Sequence, residues 1–164
     1  MIKITRSLDE QIGGQVLQWW GGEGAARVYA RDEDTGTLLM ERAIGSRHLL
    51  RMALEGEDDA ATANICYVIG QLHAQRCSAP TDQLQSLGQF FRSLAPMAQQ
   101  EGGLMAECAM VADALLSEPR EQVVLHGDAH HSNILDFGGR GWLAIDPKCV
   151  IGERYYDYAN VLCN

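Results

Sequence analysis

The stretch LHGDAHHSNILDFGGRGWLAIDPK, residues 125–148, sets three histidines, three aspartates and an asparagine between short apolar runs. Such a set supports a hydrolytic metal site, a phosphate-transfer site or a polar loop. A zinc site is excluded by spacing: His126, His130 and His131 share one loop, with no H-x₃-H pair on a helix and no downstream fourth ligand. A polar loop, in which Asn and Asp satisfy turn backbone groups, explains each residue singly and not their joint spacing.

The oxygen ligands fit phosphate chemistry better. Read as a hairpin closed by the four residues Gly138, Gly139, Arg140 and Gly141, NILDFGGRGWLAID puts Phe137 opposite Trp142 and Asn133 opposite Asp146. Opposed residues of an antiparallel pair lie about 4.5–5.5 Å apart. An amide oxygen and a carboxylate then converge, as a hard cation such as Mg²⁺ requires. Asp128 lies five residues before Asn133, in the loop after the strand-like VVL. A carboxylate there can orient a hydroxyl beside the metal without binding it. Phosphoryl transfer needs this division of labour, because its transition state is stabilised by position and charge.

The elements that must hold these residues follow from periodicity. MIKIT reads as a strand, and a helix follows in which Leu8, Ile12, Val16 and Trp19 or Trp20 recur by turns, with Ser7 as N-cap and GGEG as the stop. AARVYARD and TLLMERA, joined by DEDTG, read as a hairpin. After Gly45 the pattern turns helical: SRHLLRMALEG is a short helix, and Ala61, Ile65, Val68, Ile69 and Leu72 form one stripe of a longer one. Further helices are expected over 82–99, carrying Leu84, Leu87, Phe91 and Leu94 with Pro96 as a break, and over 104–116. VVL, NILDF and WLAID read as strands, and YYDYANVL opens a last helix. The Trp19–Trp20 pair reads as core packing, EGEDDA as a solvated helix start, and His48 and His73 as structural.

Composition bounds the class. With 164 residues, 46% of them hydrophobic, the chain buries a core of one domain or one lobe. Acidic residues outnumber basic ones by 22 to 13 for a net charge of −9, which argues against a nucleic-acid partner and suits a cationic small molecule. Cys66, Cys77, Cys108, Cys149 and Cys163 form no CxxC pair, so a reducing cytoplasm is the expected home. No apolar run approaches about 18 residues, and no membrane partner is expected.

HGDAHHSN resembles the catalytic loop of the aminoglycoside phosphotransferases, H-G-D-x-H-x-x-N, itself similar to the protein-kinase H-R-D-x-x-x-x-N, with IDP in the place of D-F-G. WWGGEGAARVYA, LLMERA, LHGDAHHSNIL, GWLAIDPK and IGERYYDYAN together resemble the branch with streptomycin 6-phosphotransferases and hydroxyurea phosphotransferases. The resemblance implies an α+β, protein-kinase-like fold: residues 1–45 as a partial N-terminal lobe and hinge, and 46–164 as a mainly helical C-terminal lobe. It implies an ATP-dependent phosphotransferase acting on a hydroxyl of an aminoglycoside such as streptomycin. It makes Asp128 the catalytic base, Asn133 and Asp146 the Mg²⁺ ligands, and Lys3 the lysine on the α- and β-phosphates. Met40, Glu41 and Ala43 become the adenine-binding hinge, and His126 a shaper of the loop. A glutamate on the first helix is expected to pair with Lys3; Glu10 is offered, with Gly13, Gly14 and Gln15 a turn later. Two further strands before the lysine and further helices after YAN are implied and lacking here, so a fragment with little activity of its own is expected. The alternatives are a binding-only fragment and a kinase for another small hydroxyl compound.

Overall fold

The computed structural model describes residues 1–5 and 7–162, so Cys163 lies outside the described residues. Strand β1 (Ile2–Lys3) leads to helix α1 (Leu8–Trp20), capped at its start by the Ser7 side chain, which accepts from the amide of Glu10, and ended by Gly21 in the left-handed conformation. Strands β2 (Val28–Arg31) and β3 (Leu38–Met40) form the expected hairpin, and β1 joins its free side to give an antiparallel sheet of order β1-β3-β2. Helices α2 (Leu49–Leu54) and α3 (Asp58–Leu72) follow. All five residues of the α3 stripe, Ala61, Ile65, Val68, Ile69 and Leu72, are buried.

The single helix expected over 82–99 is broken. Gln85–Ser86 is instead a two-residue strand, β4, followed by α4 (Leu87–Phe90) and α5 (Leu94–Glu101). Ser86 accepts from the Gln89 amide while the Gln89 side chain accepts from the Ser86 amide, and this reciprocal cap starts a new helix. Pro96 sits in the first turn of α5, where its missing N–H costs nothing. Helix α6 (Gly103–Ser117) matches its expected position.

The rest of the chain builds the site. Strand β5 (Gln122–Leu125) enters the loop, β6 (Ile134–Asp136) and β7 (Trp142–Ala144) form a hairpin, β8 (Val150–Glu153) returns, and α7 (Tyr155–Val161) closes. Strand β8 lies between β4, parallel, and β5, antiparallel. One core joins Val16, Leu17 and Trp20 of α1 to Ile65 and Ile69 of α3 and to Ile134, Leu143 and Ala144 of the hairpin. The Ala26 amide donates to the Ala144 carbonyl and the Ala144 amide to that of Gly24, so the N-terminal third is stitched to the hairpin. Among the described residues no helix is long and apolar enough to cross a membrane.

Candidate active site

The hairpin carries a register one residue away from the expected one. Asp136 pairs with Trp142, Leu135 with Leu143 and Ile134 with Ala144, so Asn133 faces Ile145 and not Asp146. The connection is longer than expected because residues 138–140 form a 3₁₀ turn, with the Phe137 amide donating to Gly141 and the Gly141 amide to Gly138. A one-residue slip would send every side chain to the other face. Here the backbone corrects it: the Ile145 amide donates to the Asn133 carbonyl at 2.9 Å, and the next residue, Asp146, turns into the left-handed region at φ 57°. Asp146 therefore leaves the strand beside Asn133 through a backbone bend. Asn133 donates its side-chain NH₂ to the Asp128 carbonyl at 2.9 Å, which leaves its amide oxygen as an acceptor.

Asp128 is held by a loop with little freedom. His126 is fully buried and stacks on Trp20 of α1, with ring centroids 6.2 Å apart. Its Nε2 donates to the Ile145 carbonyl at 2.7 Å, and its Nδ1 accepts from the Asp128 amide at 3.3 Å. Burial pushes the imidazole below its ordinary value, so the ring is neutral, as this donor–acceptor pattern requires. With both nitrogens engaged His126 shapes the loop, as the sequence suggests. Asp157 of α7 braces the same loop from below: it is buried and accepts at 2.8 Å from the amides of His126 and Gly127 and from Nε2 of His73. The Asp128 carboxylate emerges from this support one-third exposed, with Lys148 Nζ 3.4 Å from Oδ2 and His130 Nε2 3.7 Å from Oδ1.

Lys3 comes to the same region from β1. Its Nζ lies 2.5 Å from Oδ1 of Asp146, so Lys3 makes an ion pair with that aspartate. The glycines of α1 explain why no glutamate stands deeper in the helix. A Cβ on Gly13 would lie 3.0 Å from the Pro147 carbonyl oxygen, so α1 packs its backbone directly on the segment after Asp146.

The expected hinge residues differ in what they leave for a ligand. Met40 donates its amide to the Met1 carbonyl and accepts from the Met1 amino group, and the Glu41 amide donates to Arg27. Both backbone groups of Met40 are thus engaged in sheet pairing. Among the described residues no backbone partner takes the Glu41 carbonyl or the Ala43 amide. The Glu41 side chain pairs with Arg140, which also donates to the Gly22 carbonyl and ties the segment to the hairpin turn.

Just beyond it, Arg47 donates from Nε to Oδ2 of buried Asp136 at 2.8 Å and lies over the Trp142 ring. The Arg47 guanidinium holds the Asp136 carboxyl at about 2, against an ordinary 3.8. A carboxyl depressed by folding stabilises the fold above its unfolded value and loses that contribution as pH falls through its folded value. Urea midpoints, read from tryptophan fluorescence, are therefore expected to fall between about pH 4 and pH 2. Arg47→Met is expected to flatten that fall; an unchanged profile in this variant would refute the assignment.

Sequence reasoning missed Lys148 and Asp157. Lys148 reads as an ordinary surface lysine after a proline. Asp157 had a usable signal: it stands four residues before Val161 on the inward face of α7, and both are buried.

The whole chain can be set beside known proteins. It is 48% identical over 164 residues to a streptomycin 3''-kinase of Klebsiella pneumoniae, covering 100% of this chain and 60% of that protein. It is 32% identical over 167 residues to a streptomycin 6-kinase of Streptomyces griseus, covering 95% and 52%. It is 31% identical over 167 residues to a hydroxyurea phosphotransferase of Kitasatospora aureofaciens, covering 95% and 48%. The chain thus spans about half to three-fifths of the length of these relatives. Its structure matches that of a choline/ethanolamine kinase family protein from Mesorhizobium loti with a TM-score of 0.68 at 16% identity, covering 98% of this chain and 56% of that one, which shows an α+β, protein-kinase-like fold. The model of the aminoglycoside/hydroxyurea antibiotic resistance kinases matches residues 1–164 from end to end, and with the loop, hairpin and fold above it shows that the chain belongs to that family.

Proposed function

We propose that this chain carries the catalytic core of an ATP-dependent phosphotransferase whose acceptor is a hydroxyl of an aminoglycoside, streptomycin being the substrate. The carrying observation is the Asp128 carboxylate, one-third exposed between Lys148 and His130 on a buried, braced loop, with the Lys3–Asp146 pair and Asn133 in the same region. The names of the relatives support the acceptor, and the higher identity to the 3''-kinase favours that hydroxyl over the 6-position. A net charge of −9 suits a polycationic acceptor.

On this reading the acceptor oxygen attacks the γ-phosphorus of ATP and its proton passes to Asp128. The bond from γ-phosphorus to the bridging oxygen breaks, and its electron pair leaves with ADP. Lys3 neutralises the α- and β-phosphates. Adenine would bond to the Glu41 carbonyl and the Ala43 amide, the groups that sheet pairing leaves open, with Met40 as the wall behind them. Residues 1–45 then act as N-terminal lobe and hinge, and 46–164 as the lobe of the catalytic loop.

A hard divalent cation would suit the oxygen donors of one carboxylate, Asp146, and one amide, Asn133, which are the residues that would hold it. The described residues hold no group of three or more His, Cys, Asp or Glu able to bind a metal by themselves, which agrees with Mg²⁺ arriving with ATP. When bound, Mg²⁺ would neutralise charge on the phosphate oxygens. A cytoplasmic location belongs to the same reading, supported by the free thiols of Cys66, Cys77 and Cys108.

The test is incubation with MgATP and streptomycin, with mass spectrometry of the antibiotic and an assay for ADP. A phosphorylated product supports the reading. No product from streptomycin, other aminoglycosides or hydroxyurea, either with this chain or with one extended to the length of its relatives, would reject it, and nucleotide binding without transfer by the extended chain would favour the binding-only alternative. Asp146→Ala is expected to remove most of the rise in melting temperature that MgATP gives, because a ligand selective for the folded state stabilises by mass action. An equal rise in both proteins would contradict the role of Asp146.

A further inference from the structure

We infer that Lys148 is a second phosphate-binding lysine, resting against Asp128 in the free chain and moving onto the transferred phosphoryl group when a nucleoside triphosphate is bound. This deepens the phosphotransferase reading and rests on it. The contact itself suggests a movable partner. Lys148 Nζ stands 3.4 Å from Asp128 Oδ2, farther than the 2.5 Å between Lys3 and Asp146, and its side chain is 52% exposed. A half-exposed pair at this distance contributes little to stability, so folding alone does not account for it.

The backbone fixes the stem and leaves the ammonium free. Asp146 and Cys149 are both left-handed, at φ 57° and 59°, and Pro147 between them has its φ set by the ring. These bends turn the segment so that Asp146 meets Lys3 and Lys148 meets Asp128. The Lys148 amide donates to the His126 carbonyl at 2.8 Å, which anchors the residue to the catalytic loop. Gly127 allows the approach: at φ 77° it presents no side chain, and a Cβ there would lie 3.0 Å from the Cβ of Lys148. Beyond that point the four-carbon stem swings a compact charge through solvent.

The charges form two lysine–carboxylate pairs, Lys3 with Asp146 and Lys148 with Asp128. A lysine kept on Asp128 would compete with the acceptor hydroxyl for the base. A triphosphate resolves both pairs at once: each lysine exchanges its carboxylate for phosphate oxygens, Asp146 is released to a cation and Asp128 to the hydroxyl. No bond is made or broken by Lys148. It neutralises negative charge on the group in transit, where a fixed cation acts most strongly.

The test compares the unaltered protein with Lys148→Met and Lys148→Arg, titrating each with MgATP and MgADP without acceptor, then measuring kcat and KM with streptomycin. In Lys148→Met, MgATP affinity is expected to fall about tenfold or more and MgADP affinity to stay within about twofold, as when one charge-assisted contact to the terminal phosphate is lost. kcat should fall by at least as much, and the melting temperature without nucleotide should hold. Lys148→Arg should keep most of the preference for ATP, and it remains informative where the methionine variant folds poorly. Equal losses for ATP and ADP, no loss for either, or an arginine variant as impaired as the methionine one would overturn the inference. If the unaltered protein binds both nucleotides but phosphorylates no alcohol, the function proposed above fails while the ATP-to-ADP comparison still decides the role of Lys148. If it binds neither, both fall.

Discussion

Asp128→Asn is expected to abolish nearly all phosphoryl transfer while leaving MgATP binding largely intact. The substitution keeps shape and volume, and the residue's own amide still donates to His126 Nδ1, so the loop keeps its path. What disappears is the group able to take the acceptor proton and the charge that orients the hydroxyl. General-base losses of this kind cost roughly 10²–10⁴ in rate. Asn133 meets the main-chain carbonyl of residue 128 and not its side chain, so the neighbouring amide stays oriented. The measurement is kcat at saturating streptomycin, with the MgATP thermal shift as control. Turnover at the unaltered level would remove Asp128 from the reaction.

The second large effect lies behind the site. Asp157→Ala is expected to lower stability by about 3–5 kcal/mol, the usual loss when one partner of a buried polar network is removed. Its two oxygens receive the amides of His126 and Gly127 and the ring of His73, all within 2.8 Å, in a place closed to water. Alanine leaves all three donors without a partner, and each buried unsatisfied group carries its own desolvation cost. For a chain of this size a fall in melting temperature of roughly 10 °C follows. Asp157→Asn, retaining one acceptor oxygen, should fall between. A melting temperature within about 2 °C of the unaltered protein would mean that the loop is held by other contacts.

What the sequence could reveal depended on how local the cause was. The Ser7 cap and the α3 stripe are written in residues three or four apart, and both formed as expected. The loop proposed as catalytic was legible as one polar segment because HGDAHHSN gathers its side chains within eight positions. The hairpin register was not, because a run of glycines offers no side chain to count by, and its 3₁₀ turn takes up one residue more than a four-residue loop. The break before α4 was hidden for a different reason. Ser86 pairs with Ile151 of β8, a partner far along the chain, and helical periodicity in 82–99 cannot register that competition. Lys148 and Asp157 were missed likewise: each matters through Asp128 or His126, distant in sequence and close only once β5, β8 and α7 are assembled.

The bend at Asp146 carries a consequence for how this gene can drift. On the function proposed above the position must supply a carboxylate, and in the structure it also sits at φ 57°, a conformation that Gly, Asn, Asp and His enter most easily. A single base change in an aspartate codon yields Asn, His, Tyr, Gly, Ala, Val or Glu. Asn, His and Gly keep the backbone and lose the negative charge; Glu keeps the charge and strains the backbone; Tyr, Ala and Val lose both. No one-step neighbour satisfies the two demands, so residue 146 is isolated in sequence space even where the acceptor-binding surface is free to diversify.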